Sequence, residues 1–384
     1  MFDDLDLDAL RSRPGVKWAK ARPGVLPAWI ADMDFPAAAP IRETLERQAT
    51  GVLGYPTWIE EPETHPLRAA FAERMRSLYG LTFDPAHVRV YTELIQSLQI
   101  VLHVATRPGD AVAMHTPSYP PFLRTLTDMK RRLVPIPMAD DGTGWTFDAE
   151  RLADDVARTG CRALVLVNPH NPTGRVLTHE ELAAIAEIAE RHDLLVVSDE
   201  IHAELTYAPH RHVPFATLSP DRTVTLSSAS KSFNLAGLRC SVAHIGDARV
   251  RRALDAQPPA LFGEVSFLSV LATLAAWERG DAWLSETRHI LTRNRRLVAD
   301  GLPSGIRHHV PEATYLAWLD CRKLGLGPDP SRFFLDHADV LLSQGPTFGP
   351  GGEGFTRLNF ATSAPVLEEI LTRVRTAVEH RTGT

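Results

Sequence analysis

Cysteine is scarce in this chain of 384 residues: Cys161, Cys240 and Cys321 stand far apart with no C-x-x-C spacing. That pattern excludes a disulfide framework and a zinc site, and no other metal site is indicated. A reducing compartment is the simplest setting, so the expected location is cytoplasmic. No apolar run approaches the ~18 residues of a membrane span. The N-terminal Met1-Phe-Asp-Asp-Leu-Asp-Leu-Asp8 is acidic and lacks the basic start and apolar centre of a secretory signal. Positive charge is not concentrated either: 41 Lys and Arg stand against 47 Asp and Glu, with no basic block that would read as a nucleic-acid partner. Internal repeats and low-complexity segments are missing. Gly349-Pro-Gly-Gly-Glu-Gly354 has no strand-to-helix context and reads as a turn, not a nucleotide loop. A small anionic substrate must therefore be held by specific arginines.

The length exceeds what one growing core accommodates, so two domains are expected: residues 46–275 as a large domain, and 1–45 with 276–384 as a small one. Helical and strand-like segments alternate. Helical spacing covers Pro40 to Leu53, Pro62 to Tyr79, Ile95 to Thr106 and Glu180 to His192; strands are expected at Val88–Thr92, Ala111–Met114, Arg162–Asn168, Leu194–Asp199 and Thr223–Ser228. The Glu180 helix between two apolar strands forms a βαβ crossover, which implies parallel pairing. The fold class is α/β, and side chains at strand tips should converge at one sheet edge. After Arg249 the chain is mainly helical to about Leu302. Val310 to Leu319 and Val340 to Leu342 then suggest a small sheet of an α+β domain, against which the extreme N-terminus packs.

Three motifs carry chemistry. Ser228-Ala-Ser-Lys231-Ser-Phe-Asn-Leu-Ala-Gly-Leu-Arg239 places a lone lysine among hydroxyl residues at the end of a strand. Lys231 could form a Schiff base with an aldehyde if its neighbours depress its pKa, and Ser228 and Ser230 could donate hydrogen bonds to a phosphate. A solvated loop lysine is the plain alternative. Arg162-Ala-Leu-Val-Leu-Val-Asn168-Pro-His-Asn171-Pro-Thr-Gly174 is a buried strand opening into a loop that aims Asn171 at the sheet edge. Leu194-Leu-Val-Val-Ser-Asp199-Glu-Ile-His202 puts a carboxylate at the tip of an apolar run, where it must meet a cation. The pyridinium nitrogen of pyridoxal 5'-phosphate is such a cation.

With these motifs the chain resembles the fold type I pyridoxal-phosphate enzymes of the class I/II aminotransferase superfamily. It is most similar to the cystathionine β-lyase-type C–S lyases of the MalY/PatB group. The closer resemblance is carried by Trp29-Ile-Ala-Asp-Met-Asp34-Phe-Pro, Gly54-Tyr-Pro, Ser198-Asp-Glu-Ile-His202, Ser230-Lys-Ser-Phe-Asn234 and Arg357-Leu-Asn359. It implies a mostly parallel central sheet in a cofactor-binding large domain, with Lys231 as the catalytic lysine and Asp199 and Asn171 on the cofactor. It also implies that Tyr119 stacks on the ring, Tyr55 reaches the phosphate or substrate of a neighbouring subunit, Arg357 holds the substrate carboxylate and Asp32 lies in the substrate site. A homodimer with shared active sites acting on a small amino acid substrate follows. Tyr119 and Tyr55 could also be ordinary turn tyrosines, and His202 either a cofactor contact or a supporting histidine.

Two departures stand out. At the phosphate cup, where the group carries a glycine before two β-branched residues, this chain has Thr92-Glu-Leu94-Ile95-Gln96-Ser97. Leu94 stands at the glycine position, and the amides of Ile95 and Gln96 are expected to bind phosphate. Arg239, eight residues after Lys231, matches the phosphate arginine of ordinary aminotransferases, whereas several of these lyases carry an uncharged residue there. The leading reading is α,β-elimination from a cysteine S-conjugate such as cystathionine, giving a thiol, pyruvate and ammonia. An aminotransferase uses the same residues and stands beside it, as does a regulatory protein with vestigial catalysis.

Overall fold

A computed structural model describes residues Phe2 to Gly383. Its centre is an eight-stranded sheet built from β2 (Val88–Tyr91), β3 (Ala111–Thr116), β4 (Arg132–Asp140), β5 (Trp145–Phe147), β6 (Ala163–Val167), β7 (Leu195–Asp199), β8 (Thr223–Ser227) and β9 (Ser241–Ile245). The order across the sheet is β2-β9-β8-β7-β6-β3-β4-β5. The run from β8 to β4 is parallel, and β5, β9 and β2 join antiparallel at the flanks.

Strand alternation divides the core. Val112, Met114, Val165, Val167, Leu195 and Val197 face one layer with Leu98, Val101, Phe122 and Leu254. Ala111, Ala113, Leu164, Leu166, Leu194 and Val196 face the other with Leu152, Val156, Leu182 and Ile185. Both faces are thus covered by helices, which explains why these strands read as continuous apolar runs. The crossover helix His179–Arg191 starts at a capping box in which Thr178 and Glu181 satisfy each other's backbone. The register sets Val167 opposite Asp199 and Asp199 opposite Leu226. The chain therefore leaves three neighbouring strands at one level, delivering Asn168–Gly174, Asp199 and Ser228–Lys231 to the same edge.

The second sheet differs from the sequence expectation. β10 (Leu316–Asp320) pairs antiparallel with β13 (Phe355–Asn359), which also pairs with β12 (Ser343–Gln344). β11 (Val340–Leu341) does not join them; it pairs parallel with β1 (Leu26–Pro27) near the N-terminus. Residues 310–315 precede the strand and pack against the Asn171 loop, where Glu312 bonds Arg175 and the amide of Val176. The helix expected from Pro62 begins at Pro66, after a turn at Pro62–Thr64. Proline lacks an N–H and disfavours helix in the residue before it, so Pro66 fits the first helical position and sets the start there. Phe2, Leu10 and Trp18 share one apolar cluster with Leu291, Val298, Leu367 and Ile370. Among the described residues no helix is long and apolar enough to cross a membrane.

Candidate active site

Lys231 sits on the single-turn helix Ala229–Ser232 immediately beyond β8. Ser228 caps that turn by accepting from the Ser230 amide at 3.0 Å, and donates its own hydrogen to the Cys240 carbonyl at 2.5 Å. The hydroxyl of Ser228 is thus already committed, contrary to the expectation that it donates to a phosphate. The Lys231 amine donates to the Ala31 carbonyl at 2.8 Å, and the Tyr315 hydroxyl donates to the same oxygen at 2.9 Å. Burial drives the amine down to about 8; nearby Asp32 and Asp199 oppose that shift, while Arg357 and Arg239 reinforce it.

Ile95, Tyr119, Asn171, Asp199, His202, Ser228, Ser230, Lys231 and Arg239 line one cavity at the sheet edge. Asp199 is buried among them. Burial pushes this carboxyl up to about 7, against a bond from the Ile201 amide at 3.0 Å. Its neighbour Glu200 turns away and accepts from Ser198, the Phe215 amide and His212. His202 is driven down to about 3 by burial, with Lys231 and Arg357 adding to the effect. It is therefore a neutral imidazole, and its Nδ1 has no partner among the described residues. Tyr119 precedes the helix Pro120–Asp128 and meets Phe122 edge-on at 5.3 Å. Burial raises its hydroxyl.

Arg357 enters from β13. It donates to Asn171 Oδ1 at 2.8 Å, to the Trp29 carbonyl at 3.1 Å and to Ser343 Oγ at 3.3 Å, and lies over the Phe348 ring at 4.9 Å. It is 4% exposed, and burial lowers it to about 10. Among the described residues no carboxylate lies within ion-pair distance of this guanidinium, and its Nε has no partner. A buried cation with only neutral acceptors is costly unless an anion completes it.

Four expected residues do not line this cavity: Arg357 and Asp32 act on Lys231 by charge from beside it, whereas Gln96 and Tyr55 turn their side chains elsewhere. The Gln96 side-chain amide accepts from the Thr92 amide and hydroxyl and donates to the Phe262 carbonyl. The helix begins at Leu94, one residue earlier than expected, so Glu93, Leu94 and Ile95 border the cavity at its first turn. The first amides of a helix have no carbonyl a turn back, and here the first such bond runs from Ser97 to Glu93, which leaves the backbone amides of Leu94, Ile95 and Gln96 available. Tyr55 is 93% exposed, outside the cavity of its own chain.

Sequence reasoning missed the frame around Lys231. Segment 29–35 is pinned by Asn359, which donates to the Ile30 and Asp32 carbonyls, and by Asn234, which bonds Met33 and Phe35. The buried Lys17 donates to the Asp32 carbonyl and pairs with Asp34 at 2.8 Å. Glu93, paired with Arg239, was also not anticipated. Backbone acceptors have no sequence signature; Asn234 and Asn359 stood inside quoted motifs and were the one available hint. Among the described residues no group of three potential metal ligands forms a site.

Comparison with known proteins agrees with this geometry. Cystathionine beta-lyase PatB of Bacillus subtilis (strain 168) is 34% identical over 380 residues, spanning 94% of this chain and 96% of its own. The crystal structure of OvoB superposes with a TM-score of 0.91 at 33% identity, covering 98% of each chain. The pyridoxal-phosphate-bound C–S lyase from Staphylococcus hominis gives 0.90 at 29% identity, covering 99% of each. The family model for aminotransferase class I and II matches residues 33–374, and the chain belongs to that family.

Proposed function

We propose that this protein is a pyridoxal-phosphate-dependent C–S lyase that carries out α,β-elimination on a cysteine S-conjugate of the cystathionine type. The observation that carries it is a desolvated amine on Lys231 in the cavity, close enough to the buried guanidinium of Arg357 to feel its charge, while that guanidinium bonds the cavity residue Asn171 and has no carboxylate partner among the described residues. Full-length similarity to lyases of this kind supports it.

The cavity residues fit the cofactor. Asp199 is a buried acid in need of a cation, matching a protonated ring nitrogen. The helix start at Leu94 and Ile95, with Ser230 and Arg239, offers donors and positive charge to a phosphate. Asn171 turns its oxygen to Arg357 and so keeps its NH₂ group as a donor for the ring hydroxyl. Tyr119 lines the same cavity and would stack on the ring. When bound, the cofactor supplies an electron sink conjugated to the substrate nitrogen.

The residues of the chain do the rest. Arg357 and Asn171 hold the α-carboxylate, fixing which bond at Cα faces Lys231. The neutral Lys231 amine takes the Cα proton. Asp199 would pair with the ring nitrogen and keep it protonated. The electron pair left at Cα becomes the Cα–Cβ double bond as the Cβ–S pair departs with the thiolate, which takes a proton; hydrolysis of the remainder yields pyruvate and ammonia. Aminotransfer would differ in returning the proton to the cofactor carbon. Arg239, the residue that favours that alternative, is bound to Glu93 here, so it does not mark an unopposed aminotransferase-type phosphate arginine.

The test is to mix purified holoenzyme with L-cystathionine and assay pyruvate and free thiol. Stoichiometric release of both is expected, and amino transfer to a keto acid without pyruvate refutes the lyase reading. The same reading places the protein in the cytoplasm as a homodimer. Val52, Leu53 and Tyr55 form an exposed apolar strip, 80%, 60% and 93% exposed, in keeping with a surface that a second copy covers. Sedimentation should give twice the chain mass of 42.4 kDa, and Tyr55→Ala should raise KM or weaken cofactor retention. A monomer with full activity rules the shared-site arrangement out.

A further inference from the structure

Glu93 immediately precedes the helix Leu94–Ala105. Its carboxylate is paired with the guanidinium of Arg239, and both residues border the cavity that holds Lys231. Neither side chain is locked in a core: Glu93 is 29% exposed and Arg239 57%. Arg239 adopts a left-handed backbone with φ 56° after the turn Ala236–Leu238. Non-glycine residues take that conformation at a cost, so the backbone at Arg239 is held by its surroundings while its side chain keeps freedom to move.

Two features of this end of the cavity attract an anion: the unsatisfied amides at the helix start and the Arg239 charge. Glu93 is an anion already built into the same place. We propose that Glu93 is an internal competitor for the phosphate of the cofactor, sharing Arg239 and thereby weakening the hold on that phosphate. This rests on reading the cavity as the pyridoxal-phosphate site. With Glu93 ionised, the Glu93–Arg239 pair carries no net charge, and an incoming phosphate meets the amides of Leu94 and Ile95 beside a neutralised arginine. With an uncharged isostere at 93, the phosphate meets the full charge of Arg239. The consequence is a cofactor that exchanges with the surrounding pool more readily than the number of donors around it implies. The departure of this cup from the glycine-bearing pattern then has a physical effect beyond steric room.

The experiment is an equilibrium titration of the full-length protein, freed of cofactor by dialysis, with pyridoxal phosphate and separately with pyridoxal, which keeps ring and aldehyde but has no phosphate. Binding is read from the visible absorbance. Glu93→Gln, with Glu93→Ala as a second variant, should tighten pyridoxal phosphate by up to about fivefold, the scale of one partly exposed ion pair. Affinity for pyridoxal should not move. Arg239→Gln should weaken pyridoxal phosphate, and adding Glu93→Gln to it should bring little further change. Equal affinity of wild type and both Glu93 variants overturns the proposal, as does equal tightening for pyridoxal, or a full gain persisting without Arg239. Failure of every form, wild type included, to develop absorbance with either ligand overturns the cofactor reading itself and this proposal with it.

Discussion

Lys231→Ala should lower kcat on L-cystathionine by about 10⁴-fold or more, since a positioned general base alone contributes up to ~10⁴. No neighbour can substitute. His202 borders the same cavity, yet it has neither an orienting partner on Nδ1 nor a carboxylate to raise its basicity. The tyrosine hydroxyls of Tyr119 and Tyr315 are pushed upward, away from the range of a useful base. Loss of fold is not the explanation to expect, because removing a desolvated amine relieves a burial cost. The variant should unfold no earlier than wild type when both lack cofactor. It should still take up pyridoxal phosphate, but borohydride should fail to fix the cofactor to the chain, and a small primary amine added to the assay should restore part of the rate. In the wild type the sign of the pH effect is set by the same burial. The base must be neutral, and burial lowers Lys231 from 10.5 to about 8. The rate should therefore rise with pH through about 8 and flatten above it; an ascending limb near 10.5 contradicts a buried amine.

Arg357→Ala should cost about 10³-fold in kcat/KM, from two charge-assisted hydrogen bonds of roughly 2 kcal/mol each. The loss should fall on both constants, because the clamp binds the substrate and also orients Cα toward Lys231. Arg357→Lys keeps the charge without the planar fork that reaches Asn171, Trp29 and Ser343 together. It should recover only part of the activity. A substrate analogue without the α-carboxylate separates the roles: wild type and Arg357→Ala should process it at the same slow rate. A variant that loses activity equally on both substrates has lost structure, not a carboxylate contact.

The parts of this site visible in the sequence are those delivered by strands. Asn171, Asp199 and Lys231 each follow an apolar run that can only be a buried strand, and parallel neighbours end at a common edge, so their convergence was legible before any coordinates. Arg357 was legible for a similar reason, as a cation among apolar neighbours. The start of the cup helix was read one residue late: with no glycine to mark the turn, Leu94 was taken for the residue ahead of the helix, although it is the first residue in it. The Glu93–Arg239 pair, 146 residues apart in sequence, and the carbonyl of Ala31, 200 residues from Lys231, lay beyond any local pattern. The same holds for β11, which found its partner at Leu26 because pairing of two-residue strands is decided by tertiary packing, not by local propensity.

The bond from Lys231 to the Ala31 carbonyl also bears on how the enzyme comes into being. Ala31 leaves the ribosome early, Lys231 well past the midpoint, and Arg357 close to the end. The strands of the central sheet can pair while the last part of the chain is still being made, since domains form as their segments emerge. The segment that tethers the reactive amine is itself held by Arg357 and Asn359 of β13, so the tether waits for the same late strand as the clamp. The lysine tether and the carboxylate clamp therefore reach their final form in one step, when β13 pairs with β10.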